Sequence, residues 1–145
     1  GEEGVPSPFL EIGATTGLLA IVAATSGTLE VFHGSDEEEA TALAEDNGAL
    51  NGHELMAEPA FLSLHPNKRT EYYSAIATQT GGRPSELDKV PLVYNALKPG
   101  GWLVWAGHTA KNHQTIKARL SEFFNPVEVD DFHGWPVIVL NKNKT

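Results

Sequence analysis

The sequence predicts an α/β domain: a mostly parallel sheet with crossover helices, ending in an antiparallel hairpin. Three observations carry this. Short apolar or β-branched runs alternate with segments of helical length, the pattern of strand–helix units whose strands run parallel. Residues 9–27, FLEIGATTGLLAIVAATSG, read as strand, tight glycine turn and helix. Two strand-like runs close the chain with only residues 131–135 between them, and so short a connection joins antiparallel neighbours.

Each element has its own reason. Residues 8–12 are the first strand and residues 17–24 the helix after the glycine turn. Residues 28–33 (TLEVFH) alternate with β-branched positions and form the second strand. Ser35 caps the next helix, with Glu38 three residues on as the other half of a capping box. The acids Asp36, Glu37, Glu38 and Glu39 suit the positive end of its dipole. That helix is expected to reach Asn47, with Gly48 as its stop. Residues 61–64 are a weak third strand, and residues 72–78 (YYSAIAT) a fourth. A helix over 85–97 can be split by Pro91 and is stopped by Pro99-Gly100-Gly101. Residues 102–106 (WLVWA) are apolar throughout, as in a strand buried on both faces. A helix over 113–124 places Ile116, Leu120 and Phe123 or Phe124 on one stripe. Strands over 127–130 and 136–140 follow, joined by a turn at 132–134.

Composition narrows the possibilities. With 145 residues the chain is one domain with room for a sizeable core. It holds no apolar run of about 18 residues, so no membrane span is expected. No basic segment precedes an apolar stretch, so no secretory signal is expected. There is no cysteine, hence no disulfide, thiol nucleophile or Cys-based zinc site. The expected setting is intracellular, with the compartment open. The six histidines show no His-x-x-x-His spacing. They are expected to be ordinary surface residues, and no metal site is expected.

Charge is uneven. Residues 1–66 carry twelve acids and no Lys or Arg, whereas residues 67–145 carry ten bases and seven acids, for a net −9. The first half is therefore a poor phosphate-binding face. Any RNA contact falls to the basic second half, around Lys68, Arg69, Arg83, Lys111, Lys117 and Arg119.

The glycine turn is specific by its spacing. A Walker loop ends in Gly-Lys-Ser/Thr, which is absent. The dinucleotide pattern G-x-G-x-x-G fails at its middle and last glycines in Gly13-Ala14-Thr15-Thr16-Gly17-Leu18-Leu19-Ala20. The spacing Glu11-x-Gly13-x-Thr15-x-Gly17 resembles the first motif of class I S-adenosylmethionine (SAM) dependent methyltransferases, acid-x-Gly-x-Gly-x-Gly, with Thr15 in the middle glycine's place. Ala44-Glu45-Asp46-Asn47-Gly48-Ala49-Leu50-Asn51-Gly52 is similar to the "ARENAKLNG" helix end of ribosomal-protein and rRNA methyltransferases. Ala96-Leu97-Lys98-Pro99-Gly100-Gly101-Trp102 is similar to their "LKPGG" segment before strand five. The three matches stand in chain order, and with the terminal hairpin they extend the resemblance over most of the chain. Tyr94-x-x-x-Lys98 has the spacing of a short-chain dehydrogenase dyad, but Pro99 ends the helix at once, so that match is coincidental.

The resemblance implies a Rossmann-like class I methyltransferase fold with SAM as cofactor. It places Glu11, Gly13, Thr15 and Gly17 beside the methionine and ribose part. It places Asp36 on the ribose hydroxyls, since two carboxylate oxygens match a cis-diol, and the adenine near residues 63–65. It names no catalytic residue: the Asn/Asp-Pro-Pro-Tyr/Phe motif that many relatives carry after strand four is replaced by Ala77-Thr78-Gln79-Thr80-Gly81-Gly82. The β-branched Thr15 crowds the loop. Strand one also starts within ten residues of Gly1, where relatives have covering helices. The layout from Gly107 to Gly134 is similar to the degenerate N-terminal domain of rRNA guanine-N2 methyltransferases. The expectation is a methyltransferase-like domain that is catalytically degenerate and serves as a scaffold, with a protein partner or companion domain completing it. The alternative is an active methyltransferase for RNA, protein or a small molecule.

Overall fold

The computed structural model describes residues 7–13, 18–28, 30–34, 38–57 and 70–143. Their elements, in chain order, are β1 (Phe9–Ile12), α1 (Leu18–Thr25), β2 (Val31–Gly34), α2 (Glu38–Leu50), β3 (Met56–Ala57), β4 (Tyr73–Thr78), α3 (Pro84–Leu87), α4 (Val90–Ala96), β5 (Leu97–Ala106), a 3₁₀ turn (Ala110–Asn112), α5 (His113–Leu120), β6 (Asn125–Val127), β7 (Asp131–Phe132) and β8 (Trp135–Asn141). The sheet order is β3-β2-β1-β4-β5-β8-β6, with β7 paired to β8 alone. The strands from β3 to β5 are parallel, and β8 runs antiparallel to β5, β6 and β7. The expected mixed sheet and closing hairpin are therefore present. Its tight turn uses His133 and Gly134, both at positive φ (51° and 83°), as two-residue hairpin turns matching the strand twist require.

Alternation along the strands divides the core between the two sheet faces. Leu10, Ile12, Phe32, Ile76, Leu103 and Trp105 point to one face and pack with α4 and α5 through Val90, Val93, Ile116 and Leu120. Phe9, Val31, Ala75 and Ala77 point to the other and meet Ala20 and Ala23 of α1. The helix and the sheet meet there partly through alanines, Ala20 and Ala23 of α1 and Ala75 and Ala77 of β4. Glu11 and His33, at odd positions of their strands, fall on it too.

Several boundaries differ from expectation for identifiable reasons. Helix α2 runs past Gly48 to Leu50. Its stop is Gly52, at φ +78°. The Gly52 N–H donates to Ala49 O (3.0 Å) and the His53 N–H to Gly48 O (2.9 Å), which is a Schellman termination. Gly48 is instead needed because Leu55 packs on it, where a Cβ would lie 2.8 Å from Leu55 Cγ. Helix α1 ends the same way at Gly27, with Thr28 N–H to Ala23 O (3.2 Å) and Gly27 N–H to Ala24 O (3.1 Å). Pro91 does split the fourth helix, into α3 and α4, and stands in the first turn of α4. Tyr94 is then helical and Lys98 lies in β5, so no helical Tyr–Lys dyad exists. Strand β5 starts at Leu97, earlier than expected, because residues 98–101 bulge out between the Tyr73–Leu97 and Ala75–Trp102 pairs. The strand expected at 127–130 is replaced by β6 and β7. The third strand described is Met56–Ala57; the one expected at 61–64 lies outside the described residues. No helix among the described residues is long and apolar enough to cross a membrane.

Candidate functional site

The carboxyl ends of β1, β4 and β5 meet at one edge of the sheet, where open parallel sheets hold ligands. At the end of β1, Glu11 is buried, and its Oε1 accepts the Ala20 N–H at 2.9 Å. Glu11 thus serves the unpaired N-terminal amides of α1. Burial pushes its carboxyl up to about 7, against the lowering effect of the Ala20 and Leu19 amides, with the nearby Glu86 adding to the rise. Gly13 follows at φ +65°, its N–H donating to Gly34 O at 2.7 Å.

A second carboxylate sits under the same turn. Glu86 of α3 is buried. Its Oε2 accepts hydrogen bonds from Thr78 Oγ1 (2.5 Å) and Thr80 Oγ1 (2.6 Å), and Lys89 Nζ stands 3.8 Å from its Oε1. A Cβ on Gly13 would lie 2.2 Å from Thr80 Oγ1 and 2.3 Å from Glu86 Oε2. Glycine is therefore required at position 13 by the protein's own side chains, whatever ligand the turn holds. Thr78, the last residue of β4, and Thr80, just after it, supply the two hydroxyls. Nothing in the sequence marked Glu86 as their partner, because the contact depends on how α3 is set against β4.

Beside this edge, on the α1 face of the sheet, lies a cavity of about 830 Å³. Val22, Ala77 and Val104 form an apolar floor, and Gln79, His108 and Trp135 stand among its walls. His108 is buried directly after β5, and its Nε2 lies 2.8 Å from Nδ1 of the buried His113. His113 Nε2 is 3.3 Å from Asp130 Oδ1, which also accepts from Lys117 Nζ at 2.6 Å. The Lys117 and His113 bonds hold the Asp130 carboxyl below its ordinary value. Burial, with the charge of His113 second, holds His108 below the ordinary histidine value.

The expectation of surface histidines is thus corrected. His33, His108 and His113 are all buried, and His33 Nε2 lies 3.2 Å from Glu45 Oε2. A signal existed for His33, since it ends a strand that the sequence places in the sheet. The pairing of His108 with His113 arises only because the 3₁₀ turn folds α5 back against the end of β5. Of the expected cofactor residues, the structure brings Glu11 and Gly13 together at this edge. Thr15, Gly17, Asp36 and residues 63–65 lie outside the described residues. No cluster suited to a metal ion occurs among the described residues.

Comparison with known proteins agrees with this geometry. The ribosomal protein L11 methyltransferase (PrmA) family model matches residues 5–143. No curated protein matches the sequence. Among solved structures, ribosomal protein L11 methylase from Lactobacillus delbrueckii subsp. bulgaricus superposes with a TM-score of 0.79 at 22% identity, covering 93% of this chain and 69% of that one. A methyltransferase from Pyrococcus furiosus gives 0.75 at 19% identity, covering 97% and 77%. The N-methyltransferase NodS from Bradyrhizobium japonicum, in complex with S-adenosyl-L-homocysteine, gives 0.74 at 16%, covering 97% and 80%. These identities speak for the fold. The family implies SAM as cofactor. By the match over nearly its whole length, the chain belongs to the ribosomal protein L11 methyltransferase family.

Proposed function

We propose that this domain binds SAM at the β1–β4 edge and transfers its methyl group to a nitrogen of a protein substrate. The observation that carries the reading is Glu11: a carboxylate buried against its own interest, with its pKa raised to about 7, at the position where the family keeps its acidic motif residue. Strongly shifted buried acids cluster at functional sites. Glu11, Gly13, Thr15 and Gly17 would hold the methionine end, and Asp36 the ribose hydroxyls. Bound SAM supplies an already activated methyl group, so the chain's own work is to orient the nucleophile and exclude water. The cavity offers an apolar floor for that purpose, and the hairpin beside it exposes Phe132 and Trp135 (64% and 73%), aromatic faces suited to a polypeptide.

A scaffold reading has its own support. Thr80 and Glu86 fill the space at Gly13, and Thr15 stands where relatives keep glycine. A protein partner or companion domain would then be the chain's business. Calorimetric titration of the full chain with SAM separates the two. A dissociation constant below about 100 μM, equivalent to roughly 5.5 kcal/mol, supports the binding domain, and Asp36→Ala should then weaken it by about 1–3 kcal/mol through a lost charge-assisted hydrogen bond. Binding weaker than that, improved by Thr15→Gly, favours the scaffold.

A further inference from the structure

Strands β5 and β8 are apolar on both faces, yet among the described residues only one face is covered. Residues opposed across a strand pair share a face. On one face Leu103, Trp105, Ile138 and Leu140 are fully buried in the core with α4 and α5. On the other, the pairs Ala77–Val104, Val104–Val139 and Val139–Val127 form one apolar row across β4, β5, β8 and β6. Val104, Val127 and Val139 are only half-buried there, and Trp102, on the same face of β5, is 41% exposed. A sheet with one face in water alternates apolar with polar residues. Residues 102–106 (WLVWA) and 135–140 (WPVIVL) do not alternate. Helix α1 shows the same mismatch. Its sequence, LLAIVAAT, holds no charge, and a helix apolar all round belongs in an interior, yet Val22 is 50% exposed.

We propose that this face seats one amphipathic helix from a protein partner, apolar where it meets the sheet and basic along its flanks. Shape selects a helix. The cavity lies between α1 and the Trp135–Pro136 end of the hairpin, with Ala77 and Val104 as floor. Four neighbouring strands span about 14 Å, and a helix with its side chains is about 10–12 Å across, so the row has room for one.

Charge selects the flanks. No Asp, Glu, Lys or Arg is among the described residues that line the cavity. Both walls carry acids outside it. Every Asp, Glu, Lys or Arg from residue 7 to 57, a stretch that holds α1 and the α2 helix beside it, is an acid. The hairpin wall, residues 126–136, has Glu128, Asp130 and Asp131, all exposed, and no Lys or Arg. A groove apolar within and acidic at both rims matches a helix with an apolar stripe and Lys or Arg beside it. A second copy of the chain would instead set acid against acid, at a net charge of −9 each, which is repulsive. A seated helix would also keep water out of the cavity, as the reaction proposed above requires; the docking argument itself does not rest on SAM.

The test titrates the full chain, labelled with ¹⁵N, with a synthetic peptide of about 18 residues, past the length at which isolated helices are marginal. The peptide has Leu at i, i+3, i+4 and i+7 spacing and Lys elsewhere. The indole N–H signals of Trp102 and Trp135 are expected to shift, while that of Trp105, on the covered face and bonded to Gly81 O, stays in place. Val22→Glu, at a half-exposed site, should weaken binding at least about tenfold, because the seated stripe would bury the new charge. Mere attraction of a basic peptide to an acidic protein predicts the reverse, since the variant gains an acid. Trp135→Ser, on the exposed hairpin, should weaken binding as well without touching α1. A peptide of the same composition in scrambled order should bind at least about tenfold more weakly. Undiminished binding to both variants overturns the proposal, as do an equally tight scrambled peptide, shifts that spare Trp102 and Trp135, or no binding at all. A chain that sediments as a dimer and becomes a monomer in Val22→Glu overturns it too, because a second copy then covers the face. SAM calorimetry on the same sample judges the methyltransferase reading separately, and its failure leaves the docking result standing.

Discussion

At the residue scale, Glu11 sets a pH signature. Its folded pKa of about 7 stands above the ordinary carboxylate value of 4.5, so the folded chain binds the extra proton between those values. The stability tied to this group is fully present below pH 4.5 and is lost as pH rises through 7. Glu11→Gln keeps an acceptor for the Ala20 N–H and removes the charge. The variant should be more stable than the parent at pH 8 by roughly 2–3 kcal/mol, with little difference at pH 4, read from urea melts across pH. Gly13→Ala should act in the other direction. A Cβ there meets Thr80 and Glu86 well inside contact distance, at a backbone angle that side chains avoid. Left-handed backbone costs about 1–2 kcal/mol and overpacking about 1–3. A loss of roughly 2–5 kcal/mol is expected, seen as a lower urea midpoint with an unchanged slope. Gly13 was legible in the sequence as a tight-turn glycine. That its turn is filled by Thr80 and Glu86 was not, because those residues lie 67 and 73 positions away in the chain.

At the element scale, helix ends explain why boundaries moved. Two glycines competed to end α2, and the sequence alone favours the first. Packing of Leu55 onto Gly48 carries the helix on to Gly52, where the Schellman bonds form. Helix α4 has a different terminator. Lys142, on the residue after β8, reaches back so that its Nζ donates to Tyr94 O (2.7 Å) and Leu97 O (2.8 Å). The ammonium also lies 4.2 Å from the Tyr94 ring centroid. A cation at a helix C-terminus meets the negative end of the dipole. Lys142→Met keeps the apolar stem but leaves both carbonyls unpaired in a buried place. A destabilisation of about 1–3 kcal/mol is expected, measured by thermal or urea unfolding.

At the scale of the whole molecule, the sheet is the common frame. The β4 and β5 strands lie at its centre, and both are fully flanked, with Tyr73, Ile76, Leu103 and Trp105 buried between layers. Trp105 Nε1–H also ties β5 to Gly81 O at 2.9 Å. Amide hydrogen exchange should therefore be slowest in β4 and β5 and fastest among the strands in β7, which has one neighbour and exposed side chains. Slow exchange tracks the elements that open only with the whole fold. Protection in β7 equal to that of β4 would contradict this layering. The single antiparallel strand, β8, joins the edge pair to the centre, and the cavity lies on the α1 face of the sheet, with β8 contributing Trp135 and Pro136 to its wall.

The sequence by itself determined the architecture: alternation of strands and helices, the short link before the last strand, and glycines at spacings that only tight turns explain are all local signals with a fixed period or length. The same locality revealed Glu11 and Gly13. Only the tertiary structure decided which groups meet. The Thr78–Thr80–Glu86 cluster and the chain from His108 through His113 to Asp130 join residues from separate elements. Their partners are chosen by how helices settle on a twisted sheet, which no spacing along the chain records. Burial of the histidines follows from the same cause: a residue's polarity is written in its side chain, but its surroundings are supplied by elements that arrive from elsewhere in the sequence.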